Sequence, residues 1–373
     1  MNPGNAKKKD NEIIPNAVMK IIIFSMLMVS GIAVSAQDSS ANEKKTRLEI
    51  SGYTDIYYQY DFNKPGDKQR PPFLYNFKRH NEINTNLTLL KASYNGKKIR
   101  ANLGVMAGNY AKYNLAAEPE FFRYIYEANI GYKFSEKVSV DAGILPSHIG
   151  CESAVAKDNW NLSRSILAES SPYYETGIKF NYSPNDQWSF SLLVLQGWQN
   201  IKDYNSSKAL GTQIIFTPNE KMVFNSSSFI GNEKPDSAKQ VRLFHNFHFT
   251  YNISSKLKTL FMLDLGAERK IDKEGYNKWM GTALLLQYSF AKKFAAAARA
   301  EFYRDKNGVI ISNYLPAKFE TTGLAFNLDY HPFKYMVIRG EIRYLHAKDK
   351  IFERNNSPVQ SNFSILGSAA FYF

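Results

Sequence analysis

Few side chains in this 373-residue chain could attack, coordinate or exchange protons, and the six histidines and the single cysteine, Cys151, are the first to weigh. Acyl transfer or hydrolysis requires a nucleophile, a base and an orienting group converging on one spot. His80 falls at a strand end and His148 in a loop, while His245 and His248 lie three apart in one predicted strand and therefore point to opposite faces. One thiol assembles no zinc site with them, and neither a phosphate-binding loop nor a nucleophile elbow occurs. The sequence thus offers no catalytic, cofactor-binding or metal-binding residues, and the expectation is a protein that is not an enzyme. The remaining chemistry is that of charge. Glu127, Asp141, Glu175, Lys179, Arg299, Glu301, Arg339, Glu341 and Arg343 recur at every second position of apolar stretches, and Glu152, Lys157, Asp158 and Arg164 share one long loop. Such charges either set a field for passing solutes or pair with one another as ladders that hold a wall.

What positions them is a repeated strand pattern. Between Tyr174 and Tyr182, the side chains of Tyr174, Thr176, Ile178, Phe180 and Tyr182 alternate with Glu175, Gly177, Lys179 and Asn181. One face is apolar and rimmed by aromatics, and the other is charged. Ser183-Pro184-Asn185-Asp186 makes a turn, after which Trp188, Phe190, Leu192 and Val194 resume opposite Ser189 and Ser191. Strands of this kind are predicted near 48–60, 80–94, 97–108, 122–134, 137–145, 173–182, 187–197 and 208–217. The series continues at 221–230, 240–252, 256–267, 277–290, 294–304, 320–330, 335–347 and 361–373, with the weakest alternation over 208–230. Seven of the connections are tight, including the hairpin signal Asn95-Gly96, and eight are longer and polar. Sixteen long strands with segregated loop lengths are the pattern of an all-β transmembrane antiparallel barrel with periplasmic turns and extracellular loops. A closed barrel leaves no unpaired edge in hydrocarbon, and at this size its interior is too wide for side chains to fill, which leads us to expect an aqueous channel.

The N-terminus carries an address. Ile21–Val34 is mostly apolar, follows Met19-Lys20 and precedes Ser35-Ala36, so residues 1–36 read as a signal peptide cleaved after Ala36, with Met19 as an alternative start. Residues 37–47 form a short periplasmic segment and 48–373 the barrel. Cys151 then has no disulfide partner in an oxidising compartment. The formal charge of +13 is spread over walls, turns and loops. That distribution argues against nucleic acid and for anionic solutes or anionic lipopolysaccharide in the surrounding outer membrane.

Gly143–Ser153, Asn161-Leu162-Ser163-Arg164-Ser165, Pro172–Gly177 and Gln196-Gly197-Trp198 resemble the OmpL-like β-barrel porin family of Gram-negative outer membranes. The resemblance implies a porin that passes small hydrophilic solutes, and a third loop, here 146–172, that folds inward and narrows the channel. Ile149, Trp160, Leu162, Ile166 and Leu167 are too apolar for a freely exposed loop of this length and favour the same placement. On this reading Arg164, with Arg299, Arg339 and Arg343, sets a positive lumen potential against Glu152 and Glu175, giving a weak anion preference. The turns at Asn95-Gly96, Asn185-Asp186 and Pro332-Phe333 face the periplasm, and Lys64–Arg70, Lys157 and Asn355–Asn356 face outward. A receptor or structural barrel binding a partner through its loops, and more remotely a lipid-modifying enzyme, are the alternatives. Homo-oligomerisation is open.

Overall fold

The chain, seen in a computed structural model that describes residues 47–271, 274–312, 318–355 and 357–373, forms a closed antiparallel barrel of sixteen strands. The first eight wall strands are β1 (Arg47–Asp61), β2 (Ile83–Asn95), β3 (Ile99–Ala107), β4 (Ile125–Lys133), β5 (Val138–Pro146), β6 (Tyr174–Tyr182), β7 (Trp188–Leu195) and β8 (Ala209–Asn219). Then follow β9 (Met222–Asn232), β10 (Val241–Asn252), β11 (Leu257–Arg269), β12 (Tyr276–Ala291), β13 (Phe294–Asp305), β14 (Phe319–Tyr330) and β15 (Met336–Ala347). A small hairpin, β16 (Phe352–Arg354) and β17 (Ser357–Val359), stands apart from the wall, and β18 (Ser361–Tyr372) closes the barrel between β15 and β1. The predicted signal peptide and Asn356 lie outside the described residues.

Every wall strand pairs with its neighbours in sequence, as expected where each backbone N–H and C=O must find a partner without water. The period of two decides which side chains meet lipid. In β15, Ile338 and Ile342 are 42% and 46% exposed, whereas Arg339 and Arg343 are each 3% exposed on the inner face. At the end bearing the short turns, Trp188 and Phe216 stack at 4.2 Å and Phe224 and Phe249 at 4.5 Å, forming part of an outward aromatic girdle.

The interior differs from an open lumen. Loop 1, between β1 and β2, reads as polar in sequence, yet its Phe73, Leu74 and Phe77 are buried. Phe73 and Leu74 join Ile149, Ile166, Leu167, Trp279, Tyr303 and Phe319 in one apolar cluster inside the barrel. These loop residues follow no period, and it is the enclosure by the wall that recruits them. Helix α1 (Asn109–Asn114), between β3 and β4, adds Tyr110 to a second buried cluster. Packed loops therefore occupy much of the volume that sixteen strands enclose.

Candidate functional site

The long segment between β5 and β6 enters the barrel and is fastened to the inner wall along its length. At its start, Nδ1 of His148 lies 2.8 Å from Oε2 of Glu175, and Nε2 lies 2.9 Å from the Ser228 carbonyl oxygen. The His148 carbonyl accepts from Gln213 Nε2 and Ser227 Oγ at 2.9 and 2.7 Å, and the Gly150 N–H donates to Asn246 Oδ1. Both imidazole nitrogens face acceptors, so the charged form fits. Burial opposes that charge, but the Glu175 carboxylate and the Ser228 carbonyl outweigh it and raise the His148 pKa.

Further along, the wall arginines take up backbone carbonyls. Arg339 donates to Asn159 and Trp160 oxygens at 2.9 and 3.0 Å while bonded to Asp329 at 2.6 Å. The Leu162 N–H reaches Asn327 Oδ1 at 3.1 Å, and Ser163 donates to Glu341 from both N–H and Oγ. Arg299 donates to the Ser163 oxygen at 2.6 Å and faces Glu301 and Glu152 at 3.4 and 3.7 Å. Glu301 also accepts from the Ile166 N–H at 2.6 Å and from Arg343 at 2.7 Å. Helix α2 (Ile166–Glu169) is capped by Ser165 Oγ, which accepts from the Ala168 N–H, while Ser165 itself donates to Glu152. Glu152, Arg164, Arg299, Glu301, Glu341 and Arg343 thus form or adjoin a single buried clamp.

This corrects the expected field. Arg164 is fully buried, bonded to Glu169 at 2.8 Å and to Asn114 Oδ1, with its guanidinium 3.7 Å from the Tyr173 ring centroid. Arg299, Arg339 and Arg343 are equally enclosed. An unpaired guanidinium in this low-dielectric interior would be costly, and each of the four has a carboxylate partner: Glu169 for Arg164, Glu301 for Arg299 and Arg343, and Asp329 for Arg339. The ladder alternative describes these residues better.

The other sequence-predicted residues lie elsewhere. Glu127 pairs with Lys91 at 2.5 Å, Asp141 with Arg100, and Lys179 with Gln213 Oε1 at 3.3 Å, all on the inner faces of β2 to β8. Lys157, paired with Asp158, stands 5.0 Å from the ring centroid of Tyr372 in the last strand. The two share a cavity with Lys256, Lys292 and His331 of the short turns. Their loop thus dips through the barrel, and the expectation that Lys157 faces outward with the long loops is wrong: it sits at the turn end. Sequence reasoning also missed Asn246 and Asp264. With Ser147, Cys151, Ser171 and Tyr126 they line a cavity of about 190 Å³ between the loop and β10–β11. Their inward parity in two predicted strands was the available signal. Its limit was that nothing in the sequence says which part of the wall the loop leaves uncovered.

A family model described as "Putative beta-barrel porin-2, OmpL-like" matches residues 47–373. No curated protein matches. Among solved structures, the outer membrane channel DcaP of Acinetobacter baumannii is similar with a TM-score of 0.61 and 10% identity, over 90% of this chain and 100% of that one. An anion-selective porin from Comamonas acidovorans gives 0.59 and 11%, over 88% and 100%. The in-vitro folded OmpT of Vibrio cholerae, in a trimer form, gives 0.58 and 10%, over 88% and 100%.

Proposed function

We propose that this chain, which belongs to the OmpL-like β-barrel porin family and is an outer-membrane porin of a Gram-negative cell, is a narrow passive pore for small hydrophilic solutes with a weak anion preference. The observation that supports the narrowness is the clamped third loop, which leaves a cavity of about 190 Å³ with a mixed polar and apolar lining beside β10–β11. Solutes diffuse through without bond chemistry. The anion preference rests on the less buried cations of the inner wall, Lys91, Arg100 and Lys179, against Glu127 and Asp141, and not on the enclosed arginines. Residues 1–36 serve as the export signal, and the turns and both barrel termini face the periplasm. Exposed basic loop residues such as Lys64 and Lys68 contact anionic lipopolysaccharide. Self-association of barrels is part of the proposal; the V. cholerae protein also self-associates, in a trimer form.

Planar-bilayer recording in a salt gradient tests the channel. The wild type is expected to show a reversal potential of anionic sign that Lys179→Glu reduces. An equal potential in both would remove Lys179 from the solute path, and the absence of conductance would favour a receptor barrel.

A further inference from the structure

We propose that the outward face of β8–β10 is where one copy of this barrel docks on a second copy. Strand register sets Thr212, Ser228 and His245 side by side on the lipid-facing surface, with Ser226 one row nearer the turn end. The row lies four residues from the aromatic girdle at Phe216, Phe224 and Phe249, about 13 Å along the strands. Strand tilt turns that into about 10 Å of depth, near the middle of an apolar band about 25 Å tall. An imidazole and three hydroxyls at this depth are costly unless paired.

Elsewhere on the outer surface the chain pairs several such groups itself. Thr259 donates to the Leu285 oxygen, Thr282 to the Met262 oxygen and Thr322 to the His346 oxygen, and Thr54 bonds Thr88 at 2.9 Å. In the β8–β10 row the internal bond is Ser228 Oγ to His245 Nδ1, at 2.9 Å. Among the described residues, the hydroxyls of Thr212 and Ser226 and Nε2 of His245 have no protein partner. Leu192, Leu210, Leu243 and Leu265 surround the row and make it the floor of a groove of about 470 Å³.

The occupant has to reach mid-membrane depth and offer hydrogen bonds. An acyl chain fills such a groove but leaves its floor unpaired, which counts against lipid alone. Hydroxyls and a neutral imidazole both donate and accept, so the patch is complementary to itself across a twofold axis and requires no second specialised surface. The weak sequence alternation over 208–230 is in part the trace of this patch. The proposal rests on the self-association reading above and adds its location.

The test uses the full chain in its own outer membrane, with Cys151→Ser to remove the native thiol. Residues beside a twofold axis lie near their own copies, and with the axis through the Ser228–His245 row Leu243 is one of them, so Leu243→Cys is expected to give disulfide dimers on mild oxidation. Ile342→Cys, on a distant part of the surface, is expected to stay monomeric. His245→Leu is expected to weaken dimerisation at least tenfold, with conductance per barrel unchanged and the heat-modifiable folded band intact. Oligomers that persist without the Leu243→Cys cross-link, or that are indifferent to His245→Leu, would overturn the location while sparing self-association. A monomer carrying only bound lipid, or a different membrane protein in the groove, would overturn both.

Discussion

At the residue scale, the third loop is held by side chains whose charges cancel within the fold. Arg299 and Glu301 are 2% and 5% exposed, and each is bonded both to the loop backbone and to another charge. Removing one partner strands the other in a poor solvent, at about 3–5 kcal/mol. Arg299→Leu is therefore expected to lower unfolding stability by that order and to make single-channel current larger and noisier. Combining it with Glu301→Leu should cost less than the two single effects added, because the second change removes the stranded charge. Additive losses in a urea titration would show that the pair does not act as a unit. Loop 1 carries a pH-sensitive contact of its own. Lys78 is buried with Nζ donating to the Pro71 oxygen, and burial, with Arg70 nearby, pushes its pKa down to about 8. The folded state thus disfavours a proton that the unfolded loop holds up to about pH 10.5, so stability gained from Lys78 rises as the pH climbs from about 8 to 10.5. Limited proteolysis of loop 1 should slow over that interval relative to Lys78→Met, and matched rates would contradict the buried placement.

At the element scale, a period of two proved sufficient to find all sixteen wall strands to within a few residues, because lipid on one side and protein on the other punish any slip of register. The sequence was silent where no period operates. Helix α1, the hairpin β16–β17 and the apolar part of loop 1 are stabilised by what surrounds them. The site was legible only in part: parity placed Arg299, Arg339 and Arg343 on the inner face, but not that the carbonyls of loop 3 would take up Arg299 and Arg339 and its Ser163 hydroxyl Arg343. The two faces remain testable. Ile178→Arg puts a charge in hydrocarbon at about 2–4 kcal/mol and should impair assembly, while Lys179→Ala should fold normally. Equal heat-modifiable yields of the two variants would mean that the faces are misassigned. The loop's depth gives a second check. In Cys151→Ser cells, a bulky impermeant thiol reagent is expected to label Asn355→Cys but not Asn185→Cys or Lys157→Cys. Labelling of Lys157→Cys from outside would place that loop tip at the wrong end.

At the scale of the whole molecule, the question is where a solute passes once loops 1 and 3 have filled so much of the barrel. Loop 3 is bonded to β13–β15 through Arg299, Glu301, Asn327, Arg339 and Glu341, which fastens it across that part of the wall. Beyond β12, at β10–β11, the cavity lined by Ser147, Cys151, Ser171, Asn246 and Asp264 lies between loop and wall, and Cys151 is exposed with Sγ 3.2 Å from Met262 Sδ. Cys151 lines this cavity, so a trimethylammonium-ethyl thiol adduct there would project a bulky cation into it. The native cysteine thus reports on the path without any engineered change. Adding such a methanethiosulfonate reagent to wild-type channels is expected to reduce conductance severalfold and dithiothreitol to restore it, while Cys151→Ser channels are unaffected. If mass spectrometry confirms the adduct on Cys151 and current is undiminished, solutes take another route and the loop does not define the constriction.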